Sequence, residues 1–297
     1  MTLAVGVNLV VATFASAAST GNGWWWGSDS NYPTASGSYP VLEPQNGSNW
    51  YGGYFAEVGG YWMVSPCNQS GRADNTTDVA SANENWIDSG SGSQSEGVMG
   101  TALYYFTGGP GADPNYNGTT SEAYNWGVAQ AENAVNEFYS QGPNVATEVM
   151  VLDMDTIFGS GWNDVDYRCD DGAVKSYGVA VPLDEETFDG FWNYIAFDTP
   201  FWMGVYTSPS IWNYTFDGAW ALPDNTLEWT NKSETASPSG PSPWCTGSVC
   251  AQWFGGQSSD LAFAWQYTTP SAGDSYGDFD AIDTYTFYYD EHCVPCE

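Results

Sequence analysis

The sequence predicts an α/β fold, a (β/α)8 TIM-like barrel that is irregular and carries long loops. Three observations predict it. Strand-like runs alternate with helical patterns along most of the 297 residues. Several of those runs are apolar without strict alternation, which is the pattern of parallel strands covered on both faces. Acids close several of the runs, and in such barrels chemistry sits at the C-terminal ends of the strands.

The elements follow in order. Residues 1–18 read as a signal peptide: Leu3 to Phe14 is apolar and Ala15-Ser16-Ala17 offers the small-x-small pattern that a signal peptidase accepts. Residues 19–297 form one barrel domain, since no long polar linker divides them. Gly23 to Asp29 is the first strand, and residues 31–49, rich in Pro, Gly and Ser, form a loop region. Further strands are expected at Tyr54 to Val58, Val98 to Phe106, Glu148 to Asp155, Phe201 to Thr207, Leu261 to Thr268 and Phe279 to Phe287. Thr119-Thr120-Ser121-Glu122 matches a capping box, and Val128, Ala131, Val135 and Phe138 keep one helical face until Gly142-Pro143 stops it. A second helix starts near Asp184, with Phe188, Phe191, Trp192 and Ile195 at i, i+3, i+4, i+7 spacing and three acids at its positive N-terminal end. An open doubly wound sheet is the alternative, but no G-x-G-x-x-G or Walker loop follows a strand.

The run Glu148 to Thr156 carries the most chemical information. It is nearly continuous in apolar residues and ends in Asp153-Met154-Asp155. Side chains alternate along a strand, so Asp153 and Asp155 share a face while Met154 points into the opposite packing layer. Two neighbouring carboxyls raise each other's proton affinity and burial adds desolvation, so one can stay protonated while the other stays ionised. That division suits general acid catalysis.

A formal charge of −32 arises because Arg72, Arg168, Lys175 and Lys232 are the only permanent cations beside 36 acids. Nucleic acid is excluded as a partner on this balance. Salt or acid would relieve the self-repulsion, so a saline or acidic extracellular habitat is expected. No later segment reaches the roughly 18 apolar residues a membrane span requires, so no membrane association is expected after processing. Six cysteines in an exported chain favour disulfides, with Cys245–Cys250 and Cys293–Cys296 local and Cys67–Cys169 long-range among fifteen formal connectivities. The ending His292-Cys293-Val294-Pro295-Cys296 lacks a second ligand pair for zinc. A calcium loop among Asp274, Asp278, Asp280 and Asp283 is the other metal alternative; no metal and no cofactor are expected.

Eight short pieces in shared order carry a resemblance: Gly27-Ser28-Asp29, Tyr54 to Gly60, Asn85-Trp86-Ile87, the Glu122 to Phe138 helix, Val151 to Asp155, Gly204 to Ser208, Ala264 to Tyr267, and Phe279 to Asp283. On these the chain resembles the glycoside-hydrolase-like barrel domains of secreted bacterial proteins, relatives of the family 25 lysozymes. The resemblance implies a secreted protein acting on peptidoglycan or a related polysaccharide. In the lysozymes the fourth strand ends Asp-x-Glu, the Glu donating the proton and the Asp stabilising developing charge. Asp155 stands at the Glu position here. Its carboxyl is set back by about one C–C bond, ~1.5 Å, and a displacement of that size is costly for a catalytic group. The resemblance further maps the first-strand acid onto Asp29 and the last-strand acid onto Asp283, with Asp280 as substitute.

These residues suggest a glycosidase in which Asp155 donates the proton, Asp153 orients it, Asp29 contacts substrate or water and Asp283 completes an acidic floor. Aromatic content of 17% offers flat faces for pyranose rings. Tyr206, Trp265, Gln266 and Tyr105 are the expected substrate contacts, and the working unit is expected to be a monomer. The rival is a non-catalytic carbohydrate- or cell-wall-binding barrel module, which the Asp-for-Glu exchange favours. A serine or cysteine hydrolase is the least credible class, because the sole His292 lies in the tail and no G-x-S-x-G elbow occurs.

Overall fold

The computed structural model describes residues 24–30, 51–64, 101–140, 149–154, 160–163, 178–217, 220–231, 262–268 and 278–283, with backbone alone for 24–30, 51–56, 101, 262, 263, 265, 267, 268 and 278–283. The signal peptide expected at 1–18, Asp155, Asp274, His292 and all six cysteines lie outside the described residues.

Eight strands pair in sequence order around a ring: β1 (Trp24–Ser30), β2 (Tyr51–Gly60), β3 (Thr101–Phe106), β4 (Val149–Asp153), β5 (Trp202–Thr207), β6 (Leu227–Asn231), β7 (Ala262–Thr268) and β8 (Asp278–Asp283). Neighbours from β1 to β7 run parallel. The barrel closes through β8, which is antiparallel to both β7 and β1. The all-parallel expectation is corrected on that strand. Fewer residues separate β7 from β8 than the dozen that a parallel crossover needs, so the spacing allows only an antiparallel pairing.

β4 explains why its run is apolar throughout. Val149 and Val151 fill the barrel with Ala102, Tyr104, Tyr206, Leu227, Trp229 and Ala264. Met150, Leu152 and Met154 face outward onto the helices, beside Leu103, Met203 and Val205. A strand buried on both sides has no polar face to show. β6 was not expected from the sequence, because Leu227-Glu228-Trp229-Thr230 alternates like a half-exposed segment. In the fold Leu227 and Trp229 point into the barrel, and Glu228 and Thr230 are buried as well.

Three helices cover the described outer face: α1 (Thr120–Ser140), α2 (Val181–Asp198) and α3 (Pro209–Thr215). α1 begins as its capping box predicts, with the Glu122 N–H donating to Thr119 Oγ1 at 3.3 Å. α2 begins three residues earlier than expected, because Pro182 fits the first turn, where no N–H is required. Its Phe188, Phe191 and Ile195 are fully buried, each burial contributing roughly 1.5–3 kcal/mol. α1 and α2 touch backbone to backbone. A Cβ on Gly127 would lie 2.0 Å from the Thr187 carbonyl oxygen, and one on Gly190 would lie 2.1 Å from that of Tyr124. Thr187 Oγ1 donates to the Ala123 carbonyl at 3.0 Å across the same contact. None of the described helices is long and apolar enough to cross a membrane.

Candidate functional site

The site is built from the C-terminal ends of β2, β4, β5, β6 and β7. On β4 the inward set Val149, Val151 is continued by Asp153, which is 6% exposed at the barrel mouth. Its strand end is held on both sides: Thr107 N–H donates to the Asp153 carbonyl at 2.8 Å, and Met154 N–H donates to that of Tyr206 at 2.9 Å. Met154 lies in the helix-facing layer, as strand alternation requires.

Glu57 is a second inward carboxyl, 5% exposed, which the sequence reading did not single out. It pairs in register with Tyr104, a barrel-filling residue, while its neighbour Val58 joins the outer core. In a closed eight-stranded barrel the tilt lifts each successive strand by about one residue, so alternate strands contribute to one layer. Glu57, Asp153 and Asn231 from β2, β4 and β6 therefore share a layer. Tyr104, Tyr206 and Gln266 from β3, β5 and β7 form the layer beneath. A Glu just before the Gly-Gly end of an expected strand was the available signal for Glu57; Asn231 was invisible because β6 was.

The two layers are joined by hydrogen bonds. Tyr206 Oη donates to Gln266 Oε1 at 2.6 Å. Asn231 Nδ2 donates to Tyr206 Oη at 2.6 Å and to Gln266 Oε1 at 2.5 Å. Under this triangle the Tyr206 ring packs on Trp229 with centroids 4.4 Å apart, and Tyr104 meets Trp229 edge-on at 6.0 Å. These rings fill the barrel interior and support the polar layer above them.

The wall between β3 and β4 is pinned from behind. Gln130 on α1 accepts from Gly108 N–H at 2.7 Å and donates to the Gly108 carbonyl at 2.9 Å, copying a strand pairing with one side chain. Trp126 Nε1 donates to the Gly108 and Gly109 carbonyls, and Trp162 Nε1 donates to that of Thr107 at 3.0 Å. Gly161, at φ 75°, leaves no room for a side chain: a Cβ would lie 2.1 Å from Ala112 N.

Two expected site residues are moved by the fold. Tyr105 is fully buried and faces the helices, where its Oη shares its one proton between the Gly60 carbonyl at 2.7 Å and Asn133 Oδ1 at 2.9 Å. Burial, with Glu137 and Glu57 nearby, pushes its phenol well above the usual range. This burial keeps it from the barrel mouth, and the sequence does not show it because an apolar strand end reads the same inside and out. Asp283 is also displaced. Since β8 runs antiparallel, Asp283 pairs with Trp24 at the start of β1, at the far end of the barrel, whereas Asp278 pairs with Asp29 and Asp280 lies across from Gln266. Asp29 is level with Phe55, on the mouth side of β1. The Trp265 backbone pairs with Thr230 and Ala281, next to Gln266. Among the described residues no group of three His, Cys, Asp or Glu is placed to hold a metal ion.

No protein-family model matches the chain, and no curated protein sequence matches it. Solved structures that superpose on it include a family GH25 lysozyme from Aspergillus fumigatus, at 14% identity, covering 87% of this chain and 93% of that one with a TM-score of 0.46. A muramidase from Acremonium alcalophilum covers the same shares at 15% identity and TM-score 0.46. A bacterial lysozyme from Streptomyces coelicolor has 18% identity, 87% and 91% coverage, and TM-score 0.42. A likeness at this level concerns the arrangement of the chain and carries nothing about its chemistry.

Proposed function

We propose that the chain is a secreted glycoside hydrolase-like protein that acts on cell-wall or related polysaccharide by carboxylate acid/base catalysis. The observation that carries this reading is the inward pair of buried carboxyls, Asp153 and Glu57, in the polar layer that caps a closed barrel at the C-terminal ends of its parallel strands. Asp155, two residues beyond the β4 position of Asp153, is the assigned proton donor to the departing glycosidic oxygen. Asp153 orients the donor and keeps its proton affinity high, and a second carboxylate stabilises or attacks the oxocarbenium-like carbon. Asp29 contacts substrate or water. Asp280 or Asp278 takes the last-strand role first given to Asp283, since their backbone positions are on the mouth side. The apolar run from Leu3 to Phe14, read as a signal peptide, supports an extracellular setting.

The test is release of soluble glycan and loss of turbidity from purified peptidoglycan between pH 2 and 7. Wild type should release glycan, and Asp153→Asn and Asp155→Asn should each lower the rate by about 10²–10⁴. Unchanged release in both variants overturns the assignment. One observation favours a second reading, a non-catalytic wall-binding module: the acid at position 155 is the shorter aspartate. Binding to the same material without any release would establish that reading instead.

A further inference from the structure

We infer that Asn231 sets ligand specificity at the barrel mouth, selecting glycans that present a neutral hydroxyl or amide donor over glycans that present an anion. The inference rests on the polysaccharide reading above and names the contact that reading leaves open.

The hydrogen bonds within the triangle hold the Asn231 amide by its nitrogen. Tyr206 Oη has its single proton committed to Gln266 Oε1 and already accepts from Asn231. Gln266 Oε1 accepts from both partners. Asn231 Nδ2 donates to both of these groups, which anchors the amide by its nitrogen. Among the described residues Asn231 Oδ1 receives no hydrogen bond, and the residue is half-buried at the rim, whereas Tyr206 and Gln266 are 7% and 3% exposed beneath it. The amide is thus held by its nitrogen with its oxygen left for an incoming donor. Tyr206 and Gln266, expected from the sequence to touch substrate, are positioning residues that act through Asn231.

The acceptor sits in one layer with the Asp153 and Glu57 carboxyls. An O–H or N–H of a sugar gains a hydrogen bond there, while a uronate carboxylate is brought towards two acids and an amide oxygen and is repelled.

The experiment titrates the full chain with two probes, a neutral chitin tetramer and a tetragalacturonate, following the heat of binding by calorimetry. Wild type should bind the neutral tetramer at least about tenfold more tightly than the anionic one. Asn231→Ala should weaken neutral binding about tenfold, and Asn231→Ser, a milder change at the same rim position, should do the same. Tyr206→Phe keeps the Gln266 tether and should weaken it about threefold. If wild type binds and both Asn231 variants bind within twofold of it, this inference fails while the polysaccharide reading stands. If wild type binds neither probe, both fail.

Discussion

Asp29 on the first strand and Asp278 on the last are register partners in the antiparallel ladder that closes the barrel. The pairing reverses which acids of the final strand belong to the mouth. Asp278 and Asp280 lie at its mouth side, and Asp283 lies at the opposite end, against Trp24.

The first prediction follows from that reversal. Asp283→Asn should leave glycan release within about twofold of wild type, and Asp280→Asn or Asp278→Asn should lower it at least about tenfold, the low end of what a positioned acid or base contributes. Initial rates on purified peptidoglycan check it; equal losses at 283 and 280 would contradict the geometry.

The contact between α1 and α2 predicts a stability effect. Gly127→Ala and Gly190→Ala each force a methyl into a backbone carbonyl at about 2 Å, although alanine is the better helix former by roughly 1 kcal/mol. Overpacking wins because backbone cannot step aside as a side chain can, and each variant should lose about 1–3 kcal/mol in urea unfolding. A stabilised Gly127→Ala would show that the helices separate at no cost.

Removing the amide that mimics a strand should act locally. Gln130→Leu leaves the buried Gly108 N–H without its partner, at a cost of about 1–3 kcal/mol. Hydrogen exchange at the Gly108 amide should accelerate by at least about tenfold, with α2 amides unchanged under the same conditions.

Stability should fall with rising pH in the acidic range. Burial, then Glu186 and Glu185, raise Asp189 from 3.8 to about 6, and Glu185 and Glu137 are raised as well, chiefly by burial. The folded chain therefore holds a proton that the unfolded chain releases between about pH 4 and 6. Stability from this group is complete below its unfolded value and is lost as pH passes through 6. Asp189→Asn should raise the midpoint of thermal unfolding at pH 7 by about 2 °C and leave it unchanged at pH 4. An equal shift at both pH values would assign the effect to packing.

What the sequence by itself determined is local. The Thr119 cap and the face of Ala131, Val135 and Phe138 place α1, because capping and a 3.6-residue period act within a few turns. The apolar run ending at Asp153 identifies β4, because only a strand covered on both sides can be apolar at every position. That same property hid the rest. When both faces of a strand are buried, its pattern does not say which face is the barrel, so Tyr104 and Tyr105 look alike although the first fills the barrel and the second bonds Gly60 and Asn133. The direction of β8, the burial of both Glu57 and Asp153, and the bonds from Asn231 to Tyr206 and Gln266 depend on strands far apart in the chain. Tertiary structure decided them, because register and tilt around a closed ring, rather than any neighbour in sequence, determine which side chains meet at the mouth.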